Sequence, residues 1–201
     1  GPDFSGTLNS QGYNLIRNAS GIGSSLDPSD IVGEDPLLTP LGYYGGLTWT
    51  RALFIESSAI NSGDNCVKVP NCTTNNPPFA ITIDQRGASR TRVDIGAYEV
   101  SSFRALLPNA RAAENYNLTI TQYNVAEGSY TYTMSGLPSG LTLSQTISGA
   151  ISTVQITGTP TQTGNFTPTL TIVDNSGRLA IIPYSLFVAA PTAASVSISG
   201  R

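Results

Sequence analysis

Tyr130-Thr131-Tyr132-Thr133-Met134-Ser135-Gly136-Leu137-Pro138-Ser139-Gly140-Leu141-Thr142-Leu143 decides the fold class of the second half of this chain. Large and small polar residues alternate, the alternation stops at a Gly/Pro/Ser cluster, and it then resumes. Period-2 alternation is that of a strand with one buried face, and the cluster is turn chemistry. The same pattern extends outward on both sides, through Leu118 to Thr121, Ile151 to Ile156, Phe166 to Val173 and Leu179 to Val188. Gly158-Thr159-Pro160, Gly164 and Asp174-Asn175-Ser176-Gly177 punctuate it. Asn and Gly tolerate the left-handed backbone of a hairpin turn, so the last cluster predicts one. Short strands at this spacing predict a β-sandwich over residues 105–190.

Residues 1–100 read differently. Leu15-Ile16, Ile31-Val32, Leu37-Leu38, Ala52-Leu53-Phe54-Ile55, Ala59-Ile60, Phe79-Ala80-Ile81 and Val93 to Ile95 are short apolar groups between turn residues. A β-meander would need longer alternation. Short strands that bury their apolar side against a neighbouring coil are the signature of a solenoid. Thr48 through Phe54 reads either as one short helix or as a strand entering the core, and Trp49 as core or end-cap packing. Residues 101–115, with Pro108 to Ala113, read as a linker that overlaps the start of the sandwich. Residues 191–201 read as a second linker and the start of a further, truncated domain. Gly1-Pro2 is compatible with a tag scar or with native sequence.

Composition restricts the chemistry. The chain has 201 residues, 11% charged, a net charge of -3 and a pI near 4.8. Its single lysine, Lys68, argues against a mainly helical chain, and the acidic balance argues against nucleic acid as a partner. The absence of histidine excludes Ser-His-Asp, Cys-His and His-containing metal sites. No run approaches 18 apolar residues, so membrane insertion is not expected. Cys66 and Cys72 suit a local disulfide better than a metal or redox site, and such a ring adds about 2 kcal/mol in an oxidising compartment. Unpaired thiols are the alternative.

The remaining constellations are weak as chemistry. Asp27, Asp30, Glu34 and Asp35 lie among prolines and read as a solvated face, with calcium as the minor alternative. Glu99, Glu114, Glu127 and Asp174 lack the dense pattern of an interdomain calcium site. Tyr43, Tyr44 and Trp49 read as turn packing, with a carbohydrate groove as the alternative. Sequons at Asn18, Asn71, Asn117 and Asn165 matter only in a eukaryotic secretory context. Asp84 and Arg86 suit an ion pair or a backbone cap, while Gly87 and Gly96 allow tight turns. No catalytic, cofactor-binding or metal-binding residue is assigned.

Several motifs also resemble known families. Ser5 to Ile16, Asp35 to Leu38, Pro40-Leu41, Gly45 to Thr48, Ser58 to Gly63, Asp84-Gln85-Arg86-Gly87 and Asp94 to Glu99 resemble the C-terminal end of a right-handed parallel β-helix. That β-helix belongs to bacterial surface proteins of the choice-of-anchor Q and polymorphic outer-membrane-protein type. Glu56-Ser57-Ser58 and Arg51 depart from the family pattern, which usually has Gly-Ser-Pro and a histidine there. Gly136 to Leu143, Gly149 to Ile151, Gly158 to Gly164 and Phe166 to Val173 resemble immunoglobulin-like, cadherin-like domains of such proteins. Ser152 to Gln155 looks like an insertion that lengthens a hairpin or bulges a strand. Val196 to Arg201 resembles the first strand of a carboxypeptidase-regulatory-like domain.

The resulting expectation is an all-β chain: terminal rungs of a parallel β-helix plus an Ig-like β-sandwich. The resemblance implies a non-catalytic structural or adhesive segment, a stalk end and spacer, of a large secreted or cell-surface bacterial protein. The partners it implies are neighbouring domains of the same polypeptide and a host protein or glycan. The exposed β-helix end is expected to favour self-association. The alternatives are a carbohydrate-binding segment and a piece of a β-helix polysaccharide lyase or hydrolase whose active site lies upstream.

Overall fold

The computed structural model describes residues 1–72 and 78–192. Regular structure there is almost entirely β-strand, with 3-10 turns at Asn65–Lys68 and Val125–Glu127. No described helix is long and apolar enough to cross a membrane. The strand expected at Val196 to Arg201 lies outside the described residues.

In the first region β1 (Leu15–Ile16) pairs in parallel with β2 (Ile31–Val32), Leu15 opposite Ile31. Gly6 and Ile22 form a further parallel bridge. The Leu8 N–H donates to Ser24 Oγ and the Tyr13 N–H to Ser29 Oγ, each across 16 residues. Successive passes of the chain therefore lie side by side at one constant offset. Beyond residue 33 the pairing changes to antiparallel bridges, Leu38 with Leu53, Gly42 with Thr50 and Ile83 with Ser89. Among the described residues no sheet closes or curls into a solenoid. Residues 48–54 form no helix: Thr50 and Leu53 make bridges, and Ala52, Leu53 and Phe54 are buried, so burial of the apolar run outweighs helix propensity. The expected disulfide joins Cys66 and Cys72 beside a 3-10 turn capped by Asp64, whose Oδ1 accepts from the Cys66 N–H at 2.8 Å.

The second region is a two-sheet sandwich. Its strands are β3 (Ala105–Leu106), β4 (Ala110–Arg111), β5 (Tyr116–Asn124), β6 (Tyr130–Ser135), β7 (Leu141–Ser148), β8 (Ile151–Gly158), β9 (Gly164–Phe166), β10 (Thr169–Asp174) and β11 (Leu179–Ala189). One sheet runs β3-β11-β10-β6, with β4 and β9 also on β11, and the other runs β5-β8-β7. Residues 101–115, read from sequence as a linker, thus place β3 and β4 in parallel register on β11.

Alternation places the core. Ala180, Ile182, Tyr184, Leu186 and Val188 of β11 face inward with Leu170 and Ile172 of β10 and Val154 and Ile156 of β8, all buried. Each such aliphatic side chain contributes about 1.5–3 kcal/mol through burial. The Asp174 to Gly177 turn forms as the sequence predicts: Asp174 Oδ1 accepts from the Ser176 and Arg178 N–H groups, and Gly177 has φ 83°. Ser152 to Gln155 lies inside β8, where β7 and β8 pair without interruption from Leu141/Gly158 to Ser148/Ile151. The register shift occurs on β5, between Thr119 and Thr121. Buried Tyr44, Ala52, Phe54 and Tyr98 of the first region belong to the same apolar cluster as Ile120, Tyr132, Ile172 and Tyr184.

Candidate functional site at the junction

The β5 bulge turns both Ile120 and Thr121 inward, and the first region docks there. The Tyr43 N–H donates to the Ile120 carbonyl at 2.6 Å, and Gly42 bridges Thr121. Thr121 Oγ1 donates to the Leu41 carbonyl at 2.6 Å, and the Tyr184 hydroxyl to the Tyr43 carbonyl at 2.6 Å. From the other side the Tyr43 hydroxyl donates to the Leu106 carbonyl at 2.8 Å. A bulge leaves backbone groups without ladder partners, and residues 41–43 supply those partners. Gly42 has no room for a side chain: a Cβ would lie 2.8 Å from the Ile120 oxygen and 2.9 Å from the Tyr44 ring. Burial raises the Tyr44 and Tyr184 hydroxyl pKa values, so both stay protonated donors.

A second, buried polar cluster holds the end of the first region. Asp84 Oδ2 accepts from Arg86 Nε at 2.9 Å and Nη2 at 2.7 Å, and from the Glu99 N–H at 2.9 Å. Asp84 Oδ1 accepts from the Arg86 and Ala88 N–H groups. Asp84 and Arg86 are therefore both an ion pair and a backbone cap. The Arg86 guanidinium also donates to the Glu99 carbonyl at 2.6 Å and stacks 3.6 Å above the Tyr98 ring centroid. Arg90 Nη1 pairs with Glu99 Oε2 at 3.0 Å, and Asp94 accepts from the Asn61 and Val100 N–H groups.

These carboxyls respond to one environment in opposite directions. Burial pushes Asp84 up, but the Glu99 N–H, the Arg86 bond and charge, and the Ala88 N–H outweigh it and hold the group below its ordinary value. For Asp94 and Glu99 burial wins over their donors, so both are raised, Glu99 further by the neighbouring Asp94 and Asp84 charges. The carboxylate oxygens are thus committed to backbone and guanidinium donors. Such an arrangement holds segments together.

The other sequence candidates stand apart from this junction. Asp30 clamps adjacent passes of the chain, accepting from the Asn14 N–H, Asn14 Nδ2, Ser10 Oγ and the Asp27 N–H. Asp27 accepts from Ser29, and Asp35 pairs with Arg17 at 3.2 Å. Among the described residues no three His, Cys, Asp or Glu side chains form a group that could hold a metal ion. Tyr44 is completely buried, with its hydroxyl on the Pro40 carbonyl, so it cannot line a carbohydrate groove. Trp49 is 40% exposed and is not core. Sequence reasoning missed Thr121 and Tyr184 as junction residues. Both lie on predicted strands and read there as ordinary alternation.

Comparison with known proteins bears on the second region. Residues 98–189 match the family model described as "Putative Ig domain". No curated protein matches the chain. Among solved structures, an endo-fucoidan hydrolase of glycoside hydrolase family 107 is similar at 24% identity, with a TM-score of 0.36 over 43% of this chain and 13% of that one. The cysteine protease inhibitor EhICP2 from Entamoeba histolytica is similar at 19% identity and a TM-score of 0.31, over 42% of this chain and 86% of that one. The PKD domain of the KIAA 1837 protein shows 19% identity and a TM-score of 0.27, over 51% of this chain and all of that one. The chain therefore spans only a small part of the fucoidan hydrolase's length. With its strands, core and family match in agreement, residues 98–189 are an immunoglobulin-like domain.

Proposed function

We propose that this chain is a non-catalytic structural and adhesive segment, a stalk end joined stiffly to an Ig-like spacer, in a large secreted or cell-surface protein. The junction carries the reading. A spacer transmits orientation only if its neighbour cannot swivel, and the continuous core with the Tyr43, Thr121 and Tyr184 hydrogen bonds opposes swivelling. The stalk part of the reading rests on the resemblance of residues 5–99 to the end of a parallel β-helix; the short parallel pairing at a 16-residue offset is a feature such a coil would share. The Cys66–Cys72 disulfide supports an oxidising, extracellular compartment.

Backbone 15N relaxation on the whole chain tests the stiffness. One common tumbling time for residues 3–60 and for the sandwich is expected, and two independent times would overturn the spacer reading. Turnover of uronate-containing polymers by this chain would overturn its non-catalytic part.

A further inference from the structure

Residues 128–173 contain no charged side chain, and β7 is the outer strand of the β5-β8-β7 sheet within that stretch. The opposite edge of this sheet is covered at the β5 bulge by Gly42 and Tyr43. Among the described residues, residues 142–148 make no backbone hydrogen bond except to β8. Exposed edge strands are usually guarded by charge, proline or a bulge. Over its eight residues β7 has none of these.

The free groups can be assigned. The Thr159 N–H donates to the Gly140 carbonyl, which marks that opposed pair as hydrogen-bonded. Counting by two along the unbroken register, the pairs at 142, 144, 146 and 148 face β8. The N–H and C=O groups of Leu143, Gln145 and Ile147 therefore point away from the sheet. Gln145 is held in place, its Nε2 donating to Ser152 Oγ at 3.0 Å and to the Tyr123 hydroxyl at 3.2 Å. Ile147 is 65% exposed although its side chain lies on the same face as Leu143.

We propose that β7 pairs antiparallel with β7 of a second copy of this chain, on a two-fold axis through Gln145, joining two three-stranded sheets into one of six strands. In that register Leu143 of one copy lies opposite Ile147 of the other, and Gln145 lies opposite Gln145. All three outward N–H and all three outward C=O groups of each copy then find partners. The exposed Ile147 gains an apolar neighbour. On the outer face Ser144 meets Thr146 and Thr142 meets Ser148, hydroxyl pairs without like-charge repulsion. Self-complementarity under a two-fold axis favours a second copy over a foreign peptide. An edge contact lies at the small end of interface sizes, below about 1,200 Å², so the dimer is concentration-dependent.

Sedimentation equilibrium of the whole chain from micromolar to millimolar concentration tests this. The mass should rise from 21.0 kDa toward twice that value. Ser144→Lys with Thr146→Lys, checked for folding by circular dichroism, places lysines opposite each other and should weaken association about tenfold or more. Ser144→Glu with Thr146→Glu should do the same, and mixing the two variants should restore association. Ile147→Asn, which adds no charge, should also weaken it. A wild-type mass that stays at 21.0 kDa overturns the proposal, including the case in which the monomer takes up an extended peptide along this edge. So does a dimer unaffected by these variants, or a charge-swapped mixture that remains monomeric.

Discussion

The Tyr184 hydroxyl donates to the Tyr43 carbonyl at 2.6 Å across 141 residues of sequence. Both groups lie where β11 of the sandwich meets the segment that covers the β5 bulge. The bond links the first region to the strand around which the larger sheet is organised.

Tyr184→Phe retains the ring and removes the donor. The half-buried Tyr43 carbonyl then loses this donor, at a cost of about 0.5–1.5 kcal/mol. Urea unfolding should show a lower midpoint with an unchanged slope. A wild-type midpoint would mean that the bond adds nothing to stability.

Arg86→Met leaves Asp84 buried without its ion partner, and both side chains are at most 2% exposed. Breaking a buried pair from one side costs about 3–5 kcal/mol. Arg86→Lys should recover only part of this, because an ammonium cannot supply the planar fork or stack on Tyr98 in the same way. Equal stabilities of the Lys variant and the wild type in urea would contradict that geometry.

The same cluster sets a pH dependence of mixed sign. Asp84 is depressed, so its contribution is present above its ordinary value of 3.8 and is lost as pH falls through the lower folded value. Asp84→Asn should therefore be most destabilising near neutrality, its curve approaching the wild type in acid. Glu99 is raised, so the folded state holds its proton longer, and stability falls as pH rises from the ordinary 4.5 through the folded value. Glu99→Gln should match the wild type in acid and gain on it above that window. Thermal midpoints across the acid range would show whether the two variants diverge in these opposite directions.

Gly42→Ala tests the close approach at the bulge. Its Cβ meets the Ile120 backbone oxygen at 2.8 Å, and a backbone atom cannot rotate away. The strain should cost about 1–3 kcal/mol and loosen the junction. Hydrogen exchange should rise at the Tyr43 amide, while the amides of β10 and β11 within their sheet stay protected.

The sandwich was legible because its information is local. Alternation in β8, β10 and β11 marks the buried face, and Asp174 to Gly177 carry their own turn chemistry. The Cys66–Cys72 bond was legible for the same reason. Tyr44 was harder to read, since an aromatic in a glycine-rich segment suits a surface groove or an interior equally well. Only the docking of residues 41–44 on the bulge made it core.

By itself the sequence determined the β class, the sandwich strands, the main turns and the restriction on histidine-based chemistry. Tertiary structure alone decided the 16-residue offset of the first passes, the covering of Ile120 and Thr121 by Leu41 to Tyr43, and the gathering of Asp94 and Glu99 around the Asp84–Arg86 pair that the sequence already suggested. In the offset and the bulge cover at least one side of these bonds is a backbone group, the Leu8, Tyr13 and Tyr43 N–H or the Leu41, Tyr43 and Ile120 C=O. Nearly every residue carries such groups, so no residue pattern announces which of them will be met. The charged cluster is made of recognisable residues, but its meaning depends on burial. Removal from water turns Asp84 and Arg86 into an obligatory pair and sends neighbouring carboxyls in opposite directions.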